Sequence, residues 1–482
     1  MKSKLLISCL LVVMRLTGVT SAFGQAEIWP LEKCILYAIE NNIQVKQMEL
    51  SSEYNSNILF QSKLGVLPNL NAGASHSWSF GRALDETTYE FTKDQTVMSD
   101  NLYISSSVTL FNGLQTLNTI KLNQYNLMAS LEDVDKIKND ISLSIALAYL
   151  QILLNIELLE VTNSQLEITN LQIERTRQLV EAGSLPHGSL LEIQAQAAAE
   201  ELQQVNFQNQ LDISYLTLTQ LLELDSVGNF QIEIPDLPLP EEKFLLESVN
   251  EIYSAAEKIL PQVKGADYQL KSSEIGLDIA RGARSPRLSL SGSYGTRYSN
   301  ILKKYALVPG ETSDPLPIGT VEGTGETVYT FPQPLVVSEN YPFGNQFTDN
   351  ATYGVQFNLT IPIFNGWQTN TTISNAKISV LNSKYNLEYT RNMLYKEIQQ
   401  AYADAVASLK KYRASEKAVS SMEESFRYTE QKFNVGMVTS VDYNTAKNQL
   451  MSTQSDLLQS KYEYIFKTKV LEFYRGNPLS LK

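Results

Sequence analysis

"TLFNGLQTLN" at Thr109–Asn118 and "IPIFNGWQTN" at Ile361–Asn370 are one phrase written twice, 253 residues apart (364 − 111). Each opens with the apolar–polar alternation of a β-strand and turns polar at a glycine. The Asn-Gly step tolerates φ > 0 and suits a sharp break in the chain. The phrase therefore marks a strand ending and a different element beginning, and one chain does this twice.

The duplication extends outward from the phrase. "QLVEAGSLP" at Gln178–Pro186 matches "QKFNVGMVT" at Gln431–Thr439 at the same offset. Upstream, "IQVK" at Ile43–Lys46 matches "PQVK" at Pro261–Lys264, and Pro68 matches Pro286, both at 218 (286 − 68). The second copy thus carries 35 extra residues (253 − 218) between its proline and its FNG. Three motifs in one order at two constant offsets indicate a tandem repeat.

Each copy reads helix, strand, loop, strand, long helix, turn, helix. The strands alternate with period two, one apolar face against one of Ser, Gly, Asn and Thr. Leu70, Ala72, Ala74, His76, Trp78 and Phe80 form one such face, and Leu102, Ile104, Val108 and Leu110 a second. Leu288, Leu290, Tyr294 and Tyr298 form a third. The fourth is Tyr353, Val355, Phe357, Leu359, Ile361 and Ile363. About ten residues per strand is what a tilted bilayer-spanning strand requires. Four strands do not close a barrel, and open edges in hydrocarbon leave N–H and C=O groups unpaired, so strands must be pooled across subunits. That reasoning alone allows a dimer with eight strands or a trimer with twelve. A sandwich with one wet face is the plainer alternative.

The long helices are expected over about Leu114–Ala182 and Trp367–Val435, each about 100 Å at 1.5 Å per residue. Ile145, Ile152, Leu159, Leu166, Ile173 and Val180 recur every seven. So do Ile398, Ala405, Tyr412, Val419, Phe426 and Phe433, a coiled-coil seam in both copies. A second line, Ile141, Ala148, Asn155, Thr162, Thr169 and Thr176, is small or polar and faces either a close neighbour or a wet interior. Gly183 and Gly436 are placed to cap the long helices.

The division expected is a signal peptide over 1–25, a first repeat over 26–226, a Pro-rich linker over 227–246, and a second repeat over 247–482 with a long outer loop over 302–350. Lys2 and Lys4 before the apolar run Leu5–Met14, then Thr20, Ser21 and Ala22, have the form of a secretory signal. Removing residues 1–25 takes away Lys2, Lys4 and Arg15, so the net charge falls from −13 to −16. That balance excludes nucleic acid as a partner, because phosphate binding needs clustered Lys and Arg. Cys34 is then the sole cysteine, which precludes an intrachain disulfide.

The order strand–FNG–long helix–"FNVGMVTSVDYNTA"–helix, present twice, resembles the TolC-type outer-membrane efflux proteins over nearly the whole mature chain. The most specific part is Phe433–Ala446, with Gly436, Asp442 and Ala446 in the spacing of the family's helix tip. The resemblance implies a mostly α protein with a small transmembrane β part: a homotrimer with a 12-stranded barrel in the lipid of a Gram-negative outer membrane. It also implies a long periplasmic tunnel of coiled-coil helices, and a passive exit duct meeting a periplasmic adaptor (membrane-fusion) protein and an inner-membrane pump. On this reading Phe111, Asn112, Gly113, Phe364, Asn365 and Gly366 are strand-to-helix exits. Gly183, Ser184, Leu185, Gly436, Met437 and Val438 are adaptor-contacting tips, and Asp442 lines a pore constriction. The first copy departs from the pattern, with Ser189 in place of Asp442 and Ile193 in place of Ala446. Asp442 also has a plainer role as an acid favoured at a helix N-terminus.

No catalytic, metal-ligating or cofactor-binding constellation is recognisable. His76 falls on a strand and His187 at a tip, and "GTVEGTG" at Gly319–Gly325 lacks the Lys and helix of a phosphate loop. The expectation is a transport duct and no enzyme. A structural or adhesive coiled-coil surface protein without transport is the alternative.

Overall fold

The computed structural model describes residues 28–84, 89, 91–92, 95–224, 230–237 and 248–481. The signal-peptide reading and most of the 227–246 linker lie outside them. The helices are α1 Leu31–Asn41, α2 Ile43–Leu64, α3 Gln115–Glu181, α4 His187–Leu221, α5 Val249–Ile259, α6 Pro261–Gly282, α7 Phe343–Asp349, α8 Gln368–Asn434 and α9 Ser440–Tyr474. The strands used below are β1 Ile28–Trp29, β2 Asn69–Ser79, β3 Val97–Phe111, β4 Gln231–Ile232, β5 Arg287–Ser299, β6 Lys303–Thr312, β7 Pro317–Thr320, β8 Thr327–Tyr329, β9 Pro334–Asn340 and β10 Thr352–Thr360. The chain divides into a helical unit (residues up to 57, 124–273 and 379 onward) and a sheet-bearing unit (58–123 and 274–378).

The helical unit contains most of α3 and α8, each of which runs 67 residues without proline or glycine. Its core repeats at the sequence offsets. Cys34 and Ile252, Ala38 and Ala256, and Val45 and Val263 are all buried, related by 218. Ile145 and Ile398, Ile152 and Ala405, and Leu218 and Leu471 are buried and related by 253. Part of α3 is long and apolar enough to cross a membrane by composition, but Ile145, Tyr149, Ile152 and Leu153 lie inside the helical core.

The second line of α3 is resolved in favour of a close neighbour. Ile141, Ala148, Asn155, Thr162, Thr169 and Thr176 are all buried. Thr162 donates its hydroxyl to the carbonyl four residues back at 2.9 Å, which satisfies it without water, and the Thr169 hydroxyl lies 3.1 Å from the Gln165 carbonyl. Asn155 donates to the Gln210 carbonyl and lies 3.2 Å from the Ser214 hydroxyl on α4. The heptad seam is buried at Ile145, Ile152, Ile398, Ala405, Tyr412 and Val419 and only half-buried towards the tips, at Ile173, Val180, Phe426 and Phe433. The described part of the expected linker is not free chain. Residues 231–232 pair in parallel with β1, Ile232 is buried, and the Tyr149 hydroxyl donates to the Glu233 carbonyl at 2.6 Å.

In the sheet-bearing unit, β10, β5, β3 and β2 form an antiparallel sheet in that order. The register lines up faces across all four strands. Ile104, Tyr294 and Tyr353 are opposite one another, as are Val108, Leu290 and Phe357. On the other face, Asn69, Ser107, Ser291 and Gln356 form a polar row. The apolar side chains remain exposed at Leu70, Trp78, Tyr353, Val355, Phe357 and Leu359. So large an uncovered apolar face calls for a non-aqueous neighbour.

Two expectations are corrected. The fourth strand ends at Thr360, paired with Arg287, and does not reach Ile361 or Ile363. The next partner along would be Pro286, and Pro362 has no N–H to donate, so the ladder stops there. The 302–350 segment is not an irregular loop. β6 and β9 form an antiparallel ribbon, β7 and β8 a second, and α7 docks back on β5. Gln346 of α7 is fully buried, accepts from Ser299 N at 3.0 Å and donates to the Ser299 carbonyl at 2.9 Å. Phe343 packs on Tyr298 with ring centroids 5.0 Å apart.

The dispensable part of the insertion is therefore shorter than the sequence suggests. Replacing Lys303–Asn340 by a short turn is expected to leave membrane insertion and heat-modifiable gel mobility unchanged. Removing Tyr341–Asn350 as well strips α7 from β5 and is expected to reduce both.

Candidate functional site: two strand exits and two helix tips

The exits lie in the sheet-bearing unit. At both, the left-handed residues are the glycine and the one after it: Gly113 (φ 67°) and Leu114 (φ 63°), Gly366 (φ 62°) and Trp367 (φ 69°). The Asn of the FNG phrase has another role. Asn112 Nδ2 donates to Thr116 Oγ1 at 2.9 Å, and Asn365 makes the same bond to Thr369. Each Asn thereby fastens the turn to the first turn of the following helix. Read as Asn-Gly-X-Gln-Thr, the phrase carries this signal through its threonine.

The two exits differ in what covers them. Gly113 lies against the α6–β5 corner so closely that a Cβ would meet the Gly282 carbonyl oxygen at 2.3 Å. A Cβ on Gly282 would meet the Gly113 oxygen at 2.5 Å, so both glycines are required by the approach. A Cβ on Gly366 would meet nothing within 4 Å. Phe364 is 82% and Ile363 95% exposed.

The tips lie in the helical unit. Both long helices end in a Schellman motif. Ser184 N donates to the Leu179 carbonyl and Gly183 N to that of Val180, at 2.8 and 2.9 Å. Met437 N and Gly436 N repeat this to Lys432 and Phe433, at 2.9 and 3.0 Å. Gly183 and Gly436 have φ of 75° and 76°. Ser184 and Met437 project into solvent, while Leu185 and Val438 are half-buried.

The return helices start differently. α9 opens with a capping box: Thr439 Oγ1 accepts from Asp442 N at 3.2 Å, and Asp442 Oδ2 accepts from Thr439 N at 3.1 Å. The Thr439 hydroxyl also donates to Asp442 at 2.7 Å. These bonds, side chain first and backbone second, hold the exposed Asp442 carboxyl below its usual range. Their stabilisation is present above the unfolded carboxyl value of about 3.9 and is lost as pH falls through the lower folded value. α4 begins after Pro186 with no side-chain cap, and Ser189 stands where Asp442 stands in the other copy.

Behind the tips is an ion pair that the sequence reading missed. Lys447 of α9 and Glu200 of α4 are 2% and 3% exposed, with Nζ and Oε1 2.9 Å apart. Lys447 also donates to the Gln165 carbonyl at 2.8 Å and to the Thr169 hydroxyl on α3. Thr169 and Gln196 donate to the Glu200 carboxylate. Burial pulls the Lys447 pKa down while Glu200 opposes that shift. The available signal was periodicity: Lys447 follows Ser440 and Tyr443 and precedes Leu450 on the buried stripe of α9, and Glu200 continues Leu190, Ile193 and Ala197 on α4. His76 pairs with Asp100 beside Trp78 on the apolar face of the sheet, and His187 lies at the exposed first tip. Among the described residues no group of three or more His, Cys, Asp or Glu is placed to hold a metal ion.

Lys447→Met strands Glu200 without its partner and is expected to cost about 3–5 kcal/mol. Adding Glu200→Gln is expected to recover most of that. Thermal melts followed by circular dichroism check this, and equal losses in single and double variants would show that the pair is not coupled.

Residues 36–223 and 252–476 match the outer membrane efflux protein family. The outer membrane protein TolC of Escherichia coli is 21% identical over 413 residues, 84% of this chain and 73% of that protein. The alkaline protease secretion protein AprF of Pseudomonas aeruginosa is 26% identical over 132 residues, a match that spans only 27% of either chain. Among solved structures, CusC superposes with a TM-score of 0.74 at 17% identity, covering 93% of this chain and 92% of that one. The outer membrane protein VceC of Vibrio cholerae gives 0.72 at 15% identity, covering 94% and 100%. With the family match covering most of both repeats, this chain belongs to the outer membrane efflux proteins, channels of the Gram-negative outer membrane with a barrel and a long periplasmic helical part.

Proposed function

We propose that the chain is the passive outer-membrane exit duct of a tripartite efflux or secretion assembly, working as a homotrimer. Its substrates come from an inner-membrane pump through a periplasmic adaptor. The observation that carries this reading is the sheet with one exposed apolar face and one face of Ser, Asn and Gly. Such a sheet separates lipid from water, which a conduit needs and a purely adhesive coiled coil does not. The repeat boundaries 26–226 and 247–482 are then two copies of one strand-pair-and-hairpin module.

The tips at Gly183, Ser184, Leu185, Gly436, Met437 and Val438 are the adaptor-facing surface in this proposal, supported by the exposure of Ser184 and Met437. Asp442 is exposed, ionised and fixed in orientation by its capping box. Three such carboxylates around an axis attract cations and repel anions. The overall acidic charge acts in the same sense but is screened over about 10 Å in salt.

Two separable outcomes test the reading. Gly436→Val puts a β-branched residue at positive φ, costing about 1–2 kcal/mol at the tip. It is expected to abolish efflux in a complementation assay while trimer and barrel persist. Asp442→Asn is expected to keep efflux but weaken cation selectivity in planar-bilayer recordings. Purified protein that inserts without conductance would reject the duct, and unchanged selectivity would return Asp442 to helix capping alone.

A further inference from the structure

The apolar face of the sheet is unevenly filled, and the gap lies beside α7. The strand registers set Ala72, Ile104 and Tyr294 in one row of that face and Ala74, Leu102 and Thr296 in the next. α7 is seated on the same face: the Thr296 hydroxyl donates to the Phe347 carbonyl at 2.7 Å, and Phe343 packs on Tyr298. From Phe347 to the alanines of β2 runs a groove of about 380 Å³, lined also by Leu102, Ile104 and Tyr294. Two alanines among these larger side chains leave the space open.

The groove is placed by chemistry on either side of it. α7 comes from the 302–350 segment, which neither the exits nor the tips use, and it is built to border hydrocarbon. Its Pro342 cap has no N–H to leave unpaired. Gln346 bonds both Ser299 and the Tyr341 carbonyl, and Asn350 donates to the Arg297 carbonyl at 2.8 Å. A segment whose polar groups are bonded internally is tolerated next to lipid. One row beyond Ala74 the face turns polar: His76 pairs with Asp100 beside Trp78, and Tyr298 stands opposite Asp100. Ionisable groups with Trp and Tyr on a lipid-facing strand mark the level where hydrocarbon gives way to headgroups. β2 and β5 start at Asn69 and Arg287, just after α2 and α6, so this far end of the strands is the one away from the periplasm.

On the reading that the apolar face meets lipid, we infer that the groove holds an acyl chain of an outer-leaflet glycolipid. Its saccharide headgroup lies level with His76, Asp100 and Trp78. The volume falls in the range of small-ligand sites, roughly 300–1,000 Å³, and the mostly apolar lining suits a hydrocarbon chain. The Asp100 carboxylate keeps lone pairs beyond its bond to His76. It accepts from saccharide hydroxyls and repels a bare phosphate. The insertion thereby supplies one wall of a lipid site on the outside of the barrel, and conduction through the barrel does not depend on it.

Native mass spectrometry of the full-length protein, extracted from its outer membrane in mild detergent, tests the groove. The wild-type protein is expected to retain one glycolipid per chain after bulk lipid is washed away. Ala74→Phe fills the groove and is expected to lower that retention at least tenfold. Phe347→Ala removes the opposite wall, is expected to lower it too, and decides the matter if Ala74→Phe does not insert. Val355→Phe, exposed on β10 outside the groove, is expected to change nothing. Heat-modifiable gel mobility reports insertion separately: wild-type protein that does not insert would remove the lipid-facing reading itself. Inserted wild-type protein without retained lipid overturns the site, as does undiminished retention in Ala74→Phe and Phe347→Ala. Equal loss in Val355→Phe shows a general lipid annulus and overturns it as well. Diacyl phospholipid retained in place of glycolipid overturns the choice of ligand.

Discussion

A strand in hydrocarbon has only other strands to receive its N–H and C=O groups, and the rest of this molecule is arranged around that requirement. Each repeat contributes two strands, and the four make one sheet whose edges remain open. Within the chain the requirement is met between repeats by β3 and β5, the pairing that presses Gly113 onto Gly282. The exit turns follow from the same demand. A strand held to its last ladder bond must reorient within a few residues to become a helix, and two consecutive left-handed residues accomplish this.

The helical unit meets a different condition. Helices of 67 residues acquire little stability from their own ends, so packing along the seam decides their register. Thr162 of α3 permits close approach because its hydroxyl bonds its own backbone. Lys447 adds specificity rather than bulk stability: its ammonium is matched by a carboxylate, a hydroxyl and a carbonyl drawn from α4 and α3. A displaced α9 would leave a charge buried without those partners, which penalises alternative alignments more heavily than an apolar contact would.

Much of this was legible in the sequence because it is periodic. The repeat offsets, the two faces of every strand, the helix limits near Glu181 and Asn434 and the glycine caps all follow from spacing. What escaped was non-periodic or depended on a partner. Leu114 and Trp367 occupy the left-handed region although neither residue type favours it, because the helix that follows and the Asn–Thr bond hold them there. Its prolines and glycines give the insertion the composition of a loop, whereas Pro317 and Pro334 sit at the first position of strands, where a missing N–H is tolerated. Alternation continues through Ile361 and Ile363, but it does not show where the neighbouring strand ends.

The buried core around Cys34 and Ile145 has a temporal consequence. Leu31, Cys34 and Ala38 come from the beginning of the described chain, whereas Tyr462, Ile465 and Leu481 in the same cluster come from its far end. A polypeptide threaded into the periplasm amino-end first delivers one wall of that cluster hundreds of residues before the other. Until α9 arrives that wall is covered by α3 and α4 alone, and the apolar groups that Tyr462 and Ile465 later cover stay wet.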